Sequence, residues 1–223
     1  LLDPVHEREA LRAVLAHNRR HGFEAHFNHM RSYVLGDETA LLMASYPRGQ
    51  RPTRPFPYYT EVMTGFEYCV ALHLAQEGMV RDALKVVRDI RARYDGRKRN
   101  PFDEAECGHH YAQAMNSWGL IAALTGFHSS ALTRTLTLAS SPHRVRWFWS
   151  SGQAWGTVEL TPTRRRTKVA LTVAAGRLKV RELTLTGLGT KEFKTEKTLA
   201  PGRSLTVEIA PAAHAPGEML RDL

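Results

Sequence analysis

The sequence predicts an α+β chain in which a helical part precedes a β part. Apolar residues recur at helical spacing up to about residue 125 and at every second position after about residue 135. With 223 residues, 43% of them hydrophobic, the chain can bury a core in one domain or two. We expect a helical part over 1–128, a β part over 129–211 and a tail over 212–223.

Helix signals are clear at both ends of the first part. Asp3 followed by Pro4 is a typical helix start, which predicts a helix near 4–20. Apolar spacing predicts two further helices, on either side of Gly78, that pack antiparallel through a tight turn. The segment 22–59 is rich in Gly and Pro and predicts a long irregular connection. A last helix, from about 108 to 125, ends at Gly126 and has small or apolar residues nearly all round, so we expect it to be buried between neighbours.

The β part predicts about six or seven short antiparallel strands. Turn signals such as Ser151-Gly152, Ala175-Gly176 and Pro201-Gly202 separate the alternating stretches. Such alternation gives each strand one solvent-exposed face and one apolar face, which is typical of an antiparallel sandwich or meander. The alternating apolar positions are Leu136/Leu138, Val145/Trp147/Trp149, Val158/Leu160, Val169/Leu171/Val173, Leu178/Val180, Leu183/Leu185 and Leu205/Val207/Ile209.

Composition narrows the function classes. The net charge is +9, but the basic residues are spread over several segments, so we expect no nucleic-acid partner. No run of about 18 apolar residues is present, which predicts neither a membrane span nor a signal peptide. Cys69 and Cys107 are too few for a disulfide framework, and a reducing compartment, hence the cytoplasm, is the expected location.

The most informative stretch runs from Arg99 to Gln113 and gathers carboxylates, imidazoles and an Arg around a predicted helix start. Glu104 and Glu106 are two residues apart, so in an extended backbone their side chains diverge and do not form an obvious catalytic pair. Without further information, either carboxylate is explained by capping or first-turn stabilisation of the helix.

The same stretch contains residues of the types that bind metal ions. Cys107, His109 and His110 offer ligands, but adjacent histidines on a helix point about 100° apart and no second cluster completes the set. His26 and His29 cannot be placed nearby from the sequence. We therefore predict no metal and no cofactor, and histidines that line a cavity through hydrogen bonds.

Aromatic residues concentrate at one strand pair of the β part. Trp147, Trp149 and Trp155 with Phe148 are consistent with a sugar-stacking platform or with a core. The core interpretation is favoured because burying each ring removes a large apolar area from water.

The Arg99–Gln113 stretch, together with Pro57–Tyr68, resembles the last helices of glycoside hydrolase family 116, which includes non-lysosomal glucosylceramidases and bacterial β-glucosidases. The resemblance spans roughly 18–127 and continues more weakly through the strands. Its specific parts are Asp37-Glu38, Pro55-Phe56-Pro57-Tyr58, Glu61-Val62, Thr64-Gly65, Tyr94-Asp95-Gly96, Arg99-Asn100-Pro101 and the segment from Glu104 to Tyr111.

The resemblance implies the last helices of an (α/α)6 barrel from a retaining β-glycosidase. Both catalytic carboxylates of that family lie upstream of the matching region, so the resemblance implies no catalytic residue here and a fragment that is inactive without the rest of its parent polypeptide. The implied ligand is a β-glucoside or a related glycoside. An alternative from another class is a non-catalytic carbohydrate-binding or assembly module.

The resemblance also implies a set of substrate-binding residues. Glu104 is the carboxylate that accepts hydrogen bonds from the outer hydroxyls of a glucose ring, a role suited to charge-assisted bonds. Two positions depart from the family, since Gln113 stands where an Arg is usual and Met63 where a Trp is usual, which leaves the sugar preference open. The expected substrate-binding residues are Glu104, Gln113, Glu61, Arg99, His109 and His110.

Overall fold

The computed structural model of the protein describes residues 3–28, 33–103, 109 and 113–211. The chain divides into two compact units, Leu1–Leu120, called here the helical unit, and Ile121–Leu223, called the sandwich unit. The described residues form four α-helices and three sheets, which confirms the α+β class. Glu104, Glu106, Cys107, His110, His29 and the predicted tail 212–223 lie outside the described residues.

The first helix, α1 (Pro4–Asn18), begins where it was predicted. The Oδ1 atom of Asp3 accepts a hydrogen bond from the N–H of Val5 at 2.8 Å, and Pro4 occupies the first turn. The chain continues into β1 (Arg19–His21), which pairs antiparallel with β2 (Thr39–Leu41).

The predicted helical hairpin is confirmed as α2 (Thr64–Gln76) and α3 (Val80–Arg93). Gly78, with a φ of 74°, lies in the short connection, in a conformation that favours glycine. The helices pack through fully buried side chains, notably Ala71, Leu74, Ala83, Val86 and Ile90.

The last predicted helix differs from expectation in form and in burial. Residues Gln113–Trp118 form a 3-10 helix, and α4 covers only Gly119–Thr125. Asn116 donates to the carbonyl of Gly65 at 3.1 Å, which ties the 3-10 helix to α2. Met115 and Trp118 are 53% and 68% exposed, so the predicted burial between neighbours is wrong: the described residues of the helical unit cover one side of this segment and leave these side chains open.

The end of α4 matches the prediction. Gly126 has a φ of 59°, and the N–H of Phe127 donates to the carbonyl of Ala122 at 3.1 Å. This is the hydrogen bond that closes a helix whose last residue is followed by a left-handed glycine.

The sandwich unit consists of two four-stranded sheets. The strands are β3 (His128–Ser130), β4 (Thr135–Ala139), β5 (Val145–Ser150), β6 (Ala154–Pro162), β7 (Thr167–Gly176), β8 (Leu178–Thr186), β9 (Gly189–Leu199) and β10 (Ser204–Ile209). One sheet has the order β10-β7-β6-β5 and the other β3-β4-β8-β9. The alternating apolar side chains of both sheets share one core, which includes Leu138, Val158, Leu171 and Leu185.

Three features of the β part correct the prediction. The described residues of the sandwich unit contain eight strands rather than six or seven, because the short β3 and the polar β9 carry little apolar alternation. The stretches around Val180 and Leu183 form one strand, β8, whose register shifts between Val180 and Glu182. The pair β4–β8 is parallel, so the unit is not wholly antiparallel; parallel neighbours need a crossover instead of a hairpin.

A helix that crosses a bilayer needs about 20 consecutive, mostly apolar residues. No helix in the described part of the chain is both long and apolar enough to cross a membrane.

Candidate functional site

Pieces of the chain that the sequence analysis singled out meet around Arg99. Its guanidinium donates to both carboxylate oxygens of Glu38, at 2.5 Å to Oε1 and 3.1 Å to Oε2. It also donates to the carbonyl of Arg93 at 3.2 Å and lies 5.8 Å from the ring centroid of Tyr94. Glu38 is buried and accepts from the N–H of Leu35 at 2.9 Å. We call Glu38, Tyr94, Asp95 and Arg99 the Arg99 cluster.

The turn inside the Arg99 cluster is fixed by Asp95. Its Oδ1 atom accepts from the N–H groups of Arg97 and Lys98 at 2.8 and 2.9 Å. These backbone hydrogen bonds favour the ionised carboxylate and lower the pKa of Asp95 below its usual value. The N–H of Gly96 donates to the carbonyl of Arg99 at 3.0 Å, which closes the turn.

A second ion pair is formed between Glu67 of α2 and Arg93 of α3. Both side chains are about 1% exposed, and each guanidinium Nη atom donates to a carboxylate oxygen. Arg93 also donates to the carbonyl of Thr39 at 2.6 Å, and Glu67 accepts from the N–H of Leu41 at 2.9 Å. Burial raises the pKa of Glu67, and the neighbouring Arg93 charge offsets only part of that rise. The pair therefore connects both helices of the hairpin to β2.

Sequence reasoning assigned no role to Glu67 or Arg93. A signal was present, because each stands at a position where its helix otherwise buries apolar or small side chains. A charged side chain on the buried face of a helix is rarely left without a partner. Two such side chains of opposite charge on adjacent helices therefore indicate an ion pair.

The predicted substrate-binding residues fall into different surroundings. Arg99 belongs to the cluster just described. Glu61 precedes α2 with no accessible surface, and its carbonyl accepts from the N–H of Met43 at 2.9 Å. Gln113 begins the 3-10 helix, and its side chain lies outside the described part of the structure. Glu104 and His110 lie outside the described residues, so their roles stay predictions.

His109 is the described residue nearest to Glu104 on its C-terminal side. Its Nδ1 atom lies 2.8 Å from Oδ1 of Asp103, the residue just before Glu104. The φ of His109 is 68°, a left-handed conformation that costs free energy for a residue with a β-carbon. Backbone strain of this kind is concentrated at functional sites, which is consistent with a functional role for the chain between Asp103 and His109.

The sandwich unit presents a separate candidate surface on the outer face of β5 and β6. Phe148 and Trp155 are 46% and 49% exposed, with ring centroids 6.2 Å apart and planes tilted by 37°. Trp149 is buried and stacks on Phe127, so the core prediction is confirmed for Trp149. For Trp155 and Phe148 the prediction was wrong, because both rings lie on the face turned away from the apolar core. Trp147 is partly buried and packs against that core.

Comparisons with known proteins add little to this geometry. No family model matches the sequence, and no curated protein matches it. A solved structure named "Putative kojibiose phosphorylase from human microbiome" aligns with 71% of this chain and 21% of its own, at 13% identity and a TM-score of 0.37. A likeness that low does not establish a shared fold. The resemblance to family 116 therefore stays a hypothesis that rests on its motif residues.

Proposed function

We propose that the chain is the C-terminal portion of a carbohydrate-active enzyme of the retaining β-glycosidase type. In this proposal the helical unit supplies the last helices of an (α/α)6 barrel and the side of the sugar pocket that carries Glu104. The observation that carries the proposal is the Arg99 cluster. It joins the distant motif residue Glu38 to two motif pieces that are neighbours in sequence, Tyr94–Gly96 and Arg99–Pro101. Glu38 and Arg99 are separated by 61 positions and are bound through two hydrogen bonds.

The Arg99 cluster has a direct consequence for Glu104. It anchors the chain five to ten residues before that carboxylate, and the contact between Asp103 and His109 joins the residues on its two sides. A binding carboxylate needs a backbone held by its surroundings, since recognition of two vicinal hydroxyls depends on placement within a fraction of an ångström. A network of this kind supports a binding role for Glu104.

The proposal assigns no catalytic residue to this chain. A retaining glycosidase needs two carboxyl groups about 5–5.5 Å apart, one as nucleophile and one as acid and base. Glu38 and Glu67 are each held by an arginine, which suits a supporting role and not attack on a sugar. The catalytic pair is proposed to come from preceding sequence in the parent polypeptide.

The first test is the intact mass of the native gene product, followed by an assay of that product on an aryl β-glucoside. A mass several times 25.1 kDa is expected. Glu104→Gln should then lower kcat/KM roughly 10- to 100-fold, because hydrogen bonds to a charged group are worth about 1.5–3 kcal/mol. Glu106→Gln is the matched control and should retain activity. Hydrolysis by the 223-residue chain alone, lost in Glu104→Gln, would instead place a catalytic pair within it.

A second candidate function is favoured by one observation, the exposed pair Phe148 and Trp155. We propose it as a carbohydrate-binding face, because the apolar side of a pyranose ring packs on aromatic side chains. Binding of a β-linked oligosaccharide at about millimolar strength would be lost in Trp155→Ala and retained in Phe56→Ala, a change at a half-exposed ring of the helical unit. Loss of binding in Glu104→Gln but not in Trp155→Ala would favour the first candidate.

A further inference from the structure

Three side chains that can bind metal ions meet where α1 lies against the C-terminal end of α2. Glu7 comes from the first turn of α1, His73 from the last turn of α2, and Glu77 directly follows α2. One donor atom from each lies within 4.8 Å of the others, and all three residues are half-buried. His73 and Glu77 are four positions apart, the spacing that places two side chains on the same face of a helix.

The donor set has a definite chemistry. One imidazole nitrogen and two carboxylate oxygens suit zinc and neighbouring divalent transition metals. Three protein donors leave at least one coordination position for water or a ligand. Glu7 and His73 also line an apolar groove of about 480 Å³ between α1 and α2. The C-terminal end of α2 adds a partial negative charge that favours a cation.

Arg8 brings a positive charge to this cluster. Its Nε atom lies 3.4 Å from Oε2 of Glu77, and its side chain is 45% exposed. A long contact in such an exposed position contributes little to stability, so a divalent cation can displace it at small cost. Arg8 thus competes for the carboxylate that the metal would bind.

We propose that Glu7, His73 and Glu77 form a binding site for a divalent transition-metal ion that connects α1 to α2. The site shares no residue with the Arg99 cluster or the aromatic pair, and it does not depend on the glycosidase proposal. Its residues were not among those weighed as ligands from the sequence, since Glu7 is 66 positions away from His73 and no spacing rule connects them.

The test is a calorimetric titration of the full chain with ZnCl₂, repeated by visible absorption with CoCl₂. We expect one equivalent to bind in the wild type and to bind at least about tenfold more weakly in His73→Ala and in Glu7→Gln, since loss of even a supporting partner of a metal ligand costs about 10- to 100-fold. His128→Ala changes an exposed histidine of the sandwich unit and is the matched control, with unchanged binding expected. Arg8→Ala should bind more tightly, because it removes the competing charge.

Unfolding temperatures separate binding from misfolding. Without metal, His73→Ala and Glu7→Gln should unfold at nearly the wild-type temperature, because both residues are half-exposed. Zinc should raise the unfolding temperature of the wild type and not that of His73→Ala, since a ligand of the native state stabilises it by mass action. Zinc binding of equal strength in wild type and His73→Ala, no binding at all, or weaker binding in Arg8→Ala would overturn the proposal.

Discussion

The helical unit and the sandwich unit bury different kinds of side chains. In the sandwich unit, the described core is apolar, and the polar residues buried there are uncharged: Thr125, Ser141 and Thr167. Among the described residues of the helical unit, four that carry charge are almost wholly removed from solvent: Glu38, Glu61, Glu67 and Arg93. The interior of one unit is therefore built from alternating apolar faces, and that of the other from packed helices with ion pairs between their side chains.

Apolar contacts and buried ion pairs specify the structure to different degrees. Apolar alternation determines which face of a strand points inward, and any residue of suitable size satisfies it. A buried ion pair adds little net stability over an apolar replacement, but it accepts only one partner in one geometry. The pairs of the helical unit select the position of β2 and of the turn before Glu104, which is what a binding site requires.

The largest effect is expected for Arg93→Ala, which tests whether the buried ion pair matters to the helical unit alone. It leaves the Glu67 carboxylate buried without its partner, and we expect the helical unit to lose about 3–5 kcal/mol of unfolding free energy. Urea unfolding should be followed by circular dichroism at helical wavelengths and by Trp fluorescence, which reports mainly the sandwich unit because three of the four Trp lie there. The double change Glu67→Met with Arg93→Leu should recover most of the loss. An equal loss in both units would contradict the assignment.

The matching change in the sandwich unit is Leu171→Ala. Leu171 is fully buried in the core, so its truncation should cost about 2–5 kcal/mol, through lost burial and the cavity left behind. Fluorescence-detected urea unfolding should report the loss, and the helical transition should stay in place. Leu132→Ala is the control: Leu132 is 92% exposed, and its truncation should change stability by less than about 0.5 kcal/mol.

The pH dependence of the unfolding free energy tests the protonation of the buried Glu67. Burial raises the pKa of Glu67 above its usual value of 4.5, so the folded state holds this proton more tightly than the unfolded chain does. The resulting stability is fully present below pH 4.5 and is lost as the pH rises through the raised pKa. We expect the unfolding free energy of the wild type minus that of Glu67→Gln to fall as the pH rises above 4.5. A difference that increases with pH would mean that the charge of Arg93 outweighs burial.

The smallest expected effect lies at the start of α1. Asp3→Ala removes the acceptor for the N–H of Val5, and we expect a loss of about 1 kcal/mol in the helical unit, measured by thermal unfolding. Asp3→Asn keeps an acceptor at this position and should behave nearly as the wild type does. A cost above about 2 kcal/mol for Asp3→Ala would show that Asp3 does more than cap the helix.

Much of the sandwich unit could be predicted because its strands alternate. The inward positions of β5 and β7 stand out in the sequence through Val145, Trp149, Val169 and Leu171. β9 could not be predicted in this way: it is an edge strand, mostly exposed, and rich in Lys and Glu. Charged side chains on an edge strand discourage pairing with other chains. The same charges replace the alternating apolar residues by which β9 could have been predicted.

The helical unit was predictable in its helices and not in its ion pairs. Asp3-Pro4 and the apolar spacing indicate α1, α2 and α3. The partnership of Glu67 with Arg93 depends on how α2 and α3 pack, and a separation of 26 positions carries no such information. Of the candidate site, Arg99 and His109 were expected from the resemblance, whereas the role of Glu38 as the partner of Arg99 emerges only from the fold.

The parallel pairing of β4 with β8 has a consequence for the timing of biosynthesis. Leu136 and Leu138 of β4 are made early, but their neighbour on β8 follows only after the roughly 40 residues between Ala139 and Leu178. At about 5–20 residues per second, a ribosome needs ~2–8 s for that stretch. During this interval the nascent strand has no β8 to pair with, so the second sheet forms late, whereas the helices of the preceding unit close through nearby contacts as soon as they emerge.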